Sequence, residues 1–190
     1  MWSSSRSCVD HARSALLGLM AALALVLPPT SGHASNTPLP EGALSGEATL
    51  RFLGLQVYRA RLWTPPTFDP SRLGEQALAL ELEYLRAFKG AAIAERSIVE
   101  MRRAGRFTDE QATTWQAAMQ NLFPDVRPGD RITGLLHPGK GAEFFYNDRP
   151  AGRIDDAEFA RLFFSIWLGP NTSEPALRRQ LLARWLDTPR

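Results

Sequence analysis

The chain has 190 residues, with 22 lysines and arginines against 20 aspartates and glutamates, for a net charge of +2 and a pI near 9.0. The excess is small and spread out, and bases alternate with acids in stretches such as "IVEMRRAGRFTDE". Such interleaving marks a solvated helix surface and not a phosphate-binding stripe, so no nucleic-acid partner is expected.

Arg6 and Arg13 flank the approach to "ALLGLMAALALVL", an uncharged run from Ala15 to Leu27. Gly32 and Ala34 then supply the small residues of a cleavage site. Residues 1–34 therefore read as a secretory signal peptide cut after Ala34. Read instead as a membrane anchor, the run falls short of the roughly 20 residues a bilayer span needs. No later apolar run approaches that length, so no membrane span is expected after cleavage. Cys8 is the chain's single cysteine and precedes the apolar run, which excludes both a lipid-attachment site there and any disulfide in the exported part. Export without cysteines predicts a periplasmic or secreted protein that is held together by its apolar core.

"SNTPLPEGALSG" (35–46) reads as a flexible lead-in to one domain over 47–190. In "EATLRFLGLQVYRARLW", Ala48, Leu50 and Phe52 share one parity, and Leu53, Leu55 and Val57 the other. Gly54 at the change of parity predicts a bulge or a tight link between two strands. Pro65, Pro66 and Pro70 make the next stretch a loop. "ALALELEYL" (77–85) alternates as a strand with one wet face. "KGAAIAERSIVEMRRAG" predicts a helix closed by Gly105. "TDEQATTWQAAMQNLFP" predicts another, with Thr108 and Gln111 in capping-box spacing and Pro124 beyond its end. Pro138-Gly139-Lys140-Gly141 and Asn147-Asp148 then mark the turns of two consecutive hairpins.

Asp155 and Asp156 open a helix that carries Phe159, Leu162, Phe163, Ile166 and Trp167 on one broad face. A last helix runs from about Pro175 through Trp185. Strands, helices, hairpins and helices in that order predict an α+β fold, with helices covering one face of an antiparallel sheet. Phe163 and Phe164 cannot both face that sheet equally. One of them must turn into a neighbouring element, a cavity or a partner.

"GLQVYRARLW", "GDRITGLLHPGKGAEFFYNDRPAG" and "FARLFFSIWLGP" followed by "LRRQLL" resemble the exported bacterial chalcone isomerase-like proteins, over roughly residues 46–183. The resemblance implies an open-faced β-sandwich, a curved antiparallel sheet under a helical layer. It also implies a cleft between sheet and helices for a flavonoid precursor or a fatty acid. The plant enzymes of the family use an arginine and a threonine on the strands, and a tyrosine and an asparagine on a nearby helix. With Leu62-Trp63 laid on the Val-Tyr that ends the family's strand, the threonine position falls on Tyr58 and the nearest arginine is Arg51. The helix positions fall near Lys89 and Arg96. The catalytic set is therefore largely unmatched, and chalcone cyclisation is not expected.

Other chemistries find no support in the residues. His137 is the one histidine after the cleavage site and precedes Pro-Gly at a turn, where an exposed turn residue is expected and not a general base. Asp155, Asp156 and Glu158 suit a helix N-terminus and lack metal-ligand spacing. No cofactor is implied. The expected ligand-binding residues are Arg51, as a carboxylate anchor, with Tyr58, Arg96, Phe163 and Trp167. Against this, alternation lets Arg51 meet solvent, Arg96 suits a helix surface, and Phe163 and Trp167 suit a core. The sequence thus supports a non-catalytic protein that binds a small amphipathic carboxylate. The alternatives are an intramolecular lyase acting on a chalcone-like substrate, and a structural or partner-binding protein without a ligand.

Overall fold

The computed structural model describes residues 38, 39 and 41–186, so the signal peptide and the start of the lead-in lie outside the described residues. Strand β1 (Ala43–Phe52) begins within the predicted lead-in, four residues before Glu47. It returns through Leu53-Gly54 into β2 (Leu55–Thr64). Both turn residues have left-handed backbones, with φ of 49° at Leu53 and 80° at Gly54. Two such residues form the hairpin turn whose twist matches that of its strands, so Gly54 marks the tight link. A leucine in that conformation costs on the order of 1–2 kcal/mol, and Leu53 is also 85% exposed.

The sheet continues with β3 (Leu78–Tyr84), β4 (Arg131–His137), β5 (Gly141–Tyr146) and β6 (Arg149–Ile154). All six strands lie in chain order, and every neighbouring pair is antiparallel. Asn147 and Asp148 turn the last hairpin with φ of 48° and 66°. The architecture is the expected α+β one, an open antiparallel sheet with helices on one face.

Alternation divides the sheet cleanly. Leu62, Leu78, Leu80, Leu136 and Phe144 are buried beneath the helices. Their neighbours form a charged ladder on the other face. Arg59 Nη1 donates to Glu83 at 2.9 Å, Arg61 Nη1 to Glu81 at 2.9 Å, and Arg61 Nε to Glu47 at 2.8 Å. Residues 59 and 83, and 61 and 81, are directly opposite in the ladder, the geometry in which cross-strand charge pairs act.

The helices are α1 (Gly90–Ala104), α2 (Asp109–Leu122), α3 (Ala157–Leu168), α4 (Pro175–Leu181) and α5 (Ala183–Leu186). The Thr108–Gln111 capping box opens α2 as predicted. Gly105 closes α1, but with extended backbone at φ −178°; what requires a glycine there is space, since a Cβ would lie 2.7 Å from Leu162 Cδ2. The predicted last helix is broken at Leu182 into α4 and α5.

Helix α3 packs on β4 and β5, and α4 on β1 and β2, whereas α1 packs chiefly on α2 and α3. The first helix therefore stands off the sheet. Phe164 is fully buried, and a Cβ on Gly134 of β4 would meet its Cζ at 3.1 Å, so the end of the ring reaches the strand where glycine leaves room. Phe163 is the one that turns sideways, into an aromatic cluster with Phe144 at 5.3 Å and Phe159 at 5.4 Å between centroids.

Asp156 links two helices. Its Oδ1 accepts from the backbone N–H groups of Glu158 and Phe159, capping α3, while its Oδ2 accepts from Trp115 Nε1 of α2 at 2.9 Å. Asp156→Ala removes a cap and leaves the Trp115 donor without its acceptor, an expected loss of about 2–4 kcal/mol. Urea unfolding of the variant and of the wild type measures it; a loss below about 0.5 kcal/mol, the range of ordinary surface substitutions, would show that the contact is not structural.

Candidate functional site

Because α1 packs on other helices, a cleft of about 420 Å³ opens between it, α3 and the near ends of β1, β2 and β3. The volume falls in the ~300–1,000 Å³ range of small-molecule sites. Its walls are largely apolar. Leu50 and Phe52 come from β1, Leu55 and Val57 from β2, Leu82 from β3, and Ile93, Phe163 and Ile166 from the helices.

A slip in the register between β1 and β2 decides what the hairpin contributes. Leu50 pairs with Tyr58 but Arg51 pairs with Gln56, so Val57 is an extra residue. At such a bulge two successive side chains can be aimed to one side of the strand. Val57 and Tyr58 accordingly both line the cleft.

Trp167 of α3 donates from Nε1 to the Tyr58 hydroxyl at 2.8 Å, tying the helix layer to the sheet. That bond leaves the hydroxyl's own proton free to donate into the cleft. Tyr84 continues the aromatic wall, its ring edge-on to Tyr58 at 6.1 Å and 5.9 Å from Phe88. Burial pushes the Tyr58 phenol well above its ordinary value, partly opposed by the Trp167 hydrogen bond. Glu174, Glu100 and Arg96 all act on it through their charges, the glutamates raising and the arginine lowering. Burial raises the Tyr84 phenol as well, with a further contribution from Tyr58. Both phenols are neutral at ordinary pH, so Tyr58 is a hydrogen-bond donor and not a base.

Arg96 and Glu100 sit one turn apart on the α1 wall. The Arg96 guanidinium is 69% exposed at the cleft mouth, with Nη2 lying 2.5 Å from Glu100 Oε1. This contact is an ion pair without hydrogen-bond alignment, since Glu100 Oε1 has no hydrogen-bond partner. Arg103 lies 3.4 Å from the other carboxylate oxygen. Ser97 also borders the cleft, but its hydroxyl donates to the Ile93 carbonyl. Among the described residues no group of three His, Cys, Asp or Glu side chains could hold a metal ion.

Four of the five expected site residues, Tyr58, Arg96, Phe163 and Trp167, are brought together here. Arg51 is not. It is exposed and absent from the cleft wall, because Leu50 and Phe52 on either side of it take the inward positions. The expected carboxylate anchor on β1 is thereby corrected, and Arg96 is the arginine of that set at the mouth. Lys89 is likewise outside, held on the surface by Asp125 at 2.6 Å. His137 pairs with Glu143 at 3.0 Å, at the end of β4 away from the cleft. Tyr84, Arg86, Glu100 and Glu174 were not anticipated. Tyr84 shares the parity of Leu78, Leu80 and Leu82, which was a usable signal, and Glu100 follows Arg96 at ion-pair spacing.

The raised phenols set a pH dependence. A tyrosine whose folded pKa exceeds its unfolded value resists ionisation until the protein unfolds, so stability is retained below the ordinary value of 10.0 and falls as pH rises above it. Urea unfolding repeated from pH 8 to 11.5 should show this fall, and Tyr58→Phe with Tyr84→Phe should flatten it. An unchanged slope in the double variant would place the alkaline sensitivity in other groups.

Comparison with known proteins agrees with this geometry. The family described as chalcone isomerase-like matches residues 40–183. An uncharacterized protein of Haemophilus influenzae is 32% identical over 110 residues, 58% of this chain and 54% of its own, so the chain spans about half the length of that curated relative. The crystal structure of a fatty-acid binding protein from Arabidopsis thaliana superposes with a TM-score of 0.58 at 12% identity, covering 77% of this chain and 89% of that one. At that identity the likeness concerns the fold. With the family match spanning the sheet, the cleft and helices α1 to α4, the chain belongs to the chalcone isomerase-like family.

Proposed function

We propose that the protein binds a small amphipathic carboxylate of fatty-acid type in this cleft and does not transform it. The observation that carries the reading is a largely apolar cleft whose wall also holds a hydrogen-bond donor, the Tyr58 hydroxyl, and a cation, Arg96. The Arabidopsis structure, a fatty-acid binding protein of the same fold, supports this class of ligand. Each methylene drawn from water into the cleft contributes roughly 0.8 kcal/mol, against the cost of ordering the ligand. The head group then accepts a hydrogen bond from the Tyr58 hydroxyl and pairs with the Arg96 guanidinium, which together fix its orientation.

Catalysis by cyclisation has less support. The neutral Tyr58 phenol cannot accept a substrate proton. The Glu100 carboxylate is 7% exposed and held by two arginines. The leader pattern at residues 1–34 supports export, and with it a setting in the periplasm or outside the cell.

Calorimetry with a long-chain fatty acid and the alcohol of equal length tests the proposal. The wild type should bind both, the acid more tightly. Arg96→Gln should weaken the acid several-fold to about tenfold and leave the alcohol nearly unchanged. Ala92 of α1 also borders the cleft, and Ala92→Trp, which narrows it, should abolish both. Equal weakening of acid and alcohol by Arg96→Gln would remove the anchor role, and binding that survives Ala92→Trp would place the ligand elsewhere.

A further inference from the structure

The tip of the β1–β2 hairpin is not explained by the cleft alone. Phe52, Leu53 and Leu55 are 66%, 85% and 53% exposed. Leu53 also holds a left-handed backbone that asparagine or glycine would adopt without strain. A Cβ on Gly54 would meet nothing within 4 Å, so no described residue covers the turn. Folding gains nothing from a strained, solvated leucine, and an outlier of this kind points to function.

Charge and continuity indicate what covers it. From Leu50 to Tyr58 the one charged residue is Arg51, and it is exposed. Arg86 and Arg96 stand at the mouth of the cleft beside the same hairpin. Of the acids there, Glu100 offsets Arg96, and Glu174 lines the cleft at the start of α4, which leaves Arg51 and Arg86 against one carboxylate. Phe52 and Leu55 belong at once to the exposed tip and to the cleft wall. Three side chains at the end of a two-stranded ribbon are far smaller than the ~1,200–2,000 Å² of a stable protein interface. An apolar wedge beside cations instead suits a bilayer interface, where the wedge enters the acyl region and guanidinium groups meet phosphates.

We propose that the hairpin tip inserts into the surface of an anionic phospholipid bilayer, Leu53 foremost, with Arg51 and Arg86 at the headgroup phosphates. An acyl chain then passes between bilayer and cleft along Phe52 and Leu55 without crossing water. The passage rests on the ligand reading above, whereas the insertion does not.

Flotation of the protein, purified after expression of the full chain, with vesicles of phosphatidylcholine alone or mixed with phosphatidylglycerol tests the insertion. The wild type should float with the mixed vesicles. Leu53→Asn should lower that partition on the order of tenfold while raising the thermal midpoint, because asparagine suits the turn. Arg51→Gln should lower it about fivefold on mixed vesicles and leave the binding to phosphatidylcholine alone unchanged. Fatty-acid affinity in solution should stay at the wild-type level in Leu53→Asn, so the failure of one reading is visible without the other. Flotation of Leu53→Asn equal to wild type, or no flotation of the wild type, overturns the proposal. So does a dimer, seen by ultracentrifugation and lost in Leu53→Asn, that forms without vesicle binding, since the tip would then serve a second copy.

Discussion

Between Leu50 and Arg51 the pairing of β1 with β2 slips by one residue, and Val57 is left as the extra member of β2. Without that slip, strict alternation from Ala60 and Leu62 would still aim Tyr58 inward but would send Leu55 and Val57 to the far face. The bulge reverses the parity in mid-strand, so the hairpin's last turn presents Leu55, Val57 and Tyr58 together with Leu50 and Phe52 of β1. The register returns to its original phase through a second slip at Ser45, where the hydroxyls of Ser45 and Thr64 lie 2.5 Å apart. Strand β2 thus has one parity in mid-sheet and another at the mouth.

The cleft stays open because the elements around it are satisfied elsewhere. Helix α1 has α2 and α3 to pack on, and Asp125 accepts from both the Gly90 backbone N–H and Lys89 at its start. Backbones approach so closely there that a Cβ on Gly90 would lie 1.9 Å from the Phe123 carbonyl oxygen. With its first turn pinned beyond the sheet, α1 cannot settle onto β2 and β3. Among the described residues, the one side-chain hydrogen bond across the gap is that of Trp167 with Tyr58, which spans α3 and β2.

Most of the fold was legible in the sequence because its signals are local. The Thr108–Gln111 box, the Asn147-Asp148 turn and the aromatic face of α3 each depend on residues within a few positions of one another. Gly54 announced the turn for the same reason. The site was half legible. Tyr58, Phe163 and Trp167 lie on faces that alternation and helical spacing define, whereas Arg51 could be placed at the cleft only by ignoring the inward claims of Leu50 and Phe52. The bulge at Val57 leaves no mark in composition, since valine is an ordinary strand residue, and it is seen only when the partner strand is known. The standing-off of α1 is likewise a tertiary fact that no periodicity in residues 90–104 contains.

The two faces of the sheet complete the division of labour. Arg59, Arg61, Glu47, Glu81 and Glu83 cover the outer side of β1 to β3 with mutually paired charge, extended to β4 by Arg131, 3.4 Å from Glu81. Glu81 is 8% exposed, and its two oxygens are taken by Arg61 and Arg131, so this burial carries no stray charge. The more exposed of these pairs, such as Arg61 with Glu47, add little stability. Their effect is to keep that face wetted and free of apolar patches along most of the hairpin's length. The charge ends before the turn, and with it the protection: beyond Arg59 and Glu47 toward the tip, Phe52, Leu53 and Leu55 stand in solvent beside the lone charge of Arg51. Apart from Leu44 at the far end of β1, apolar exposure in the hairpin is therefore concentrated where the ladder stops and the cleft begins.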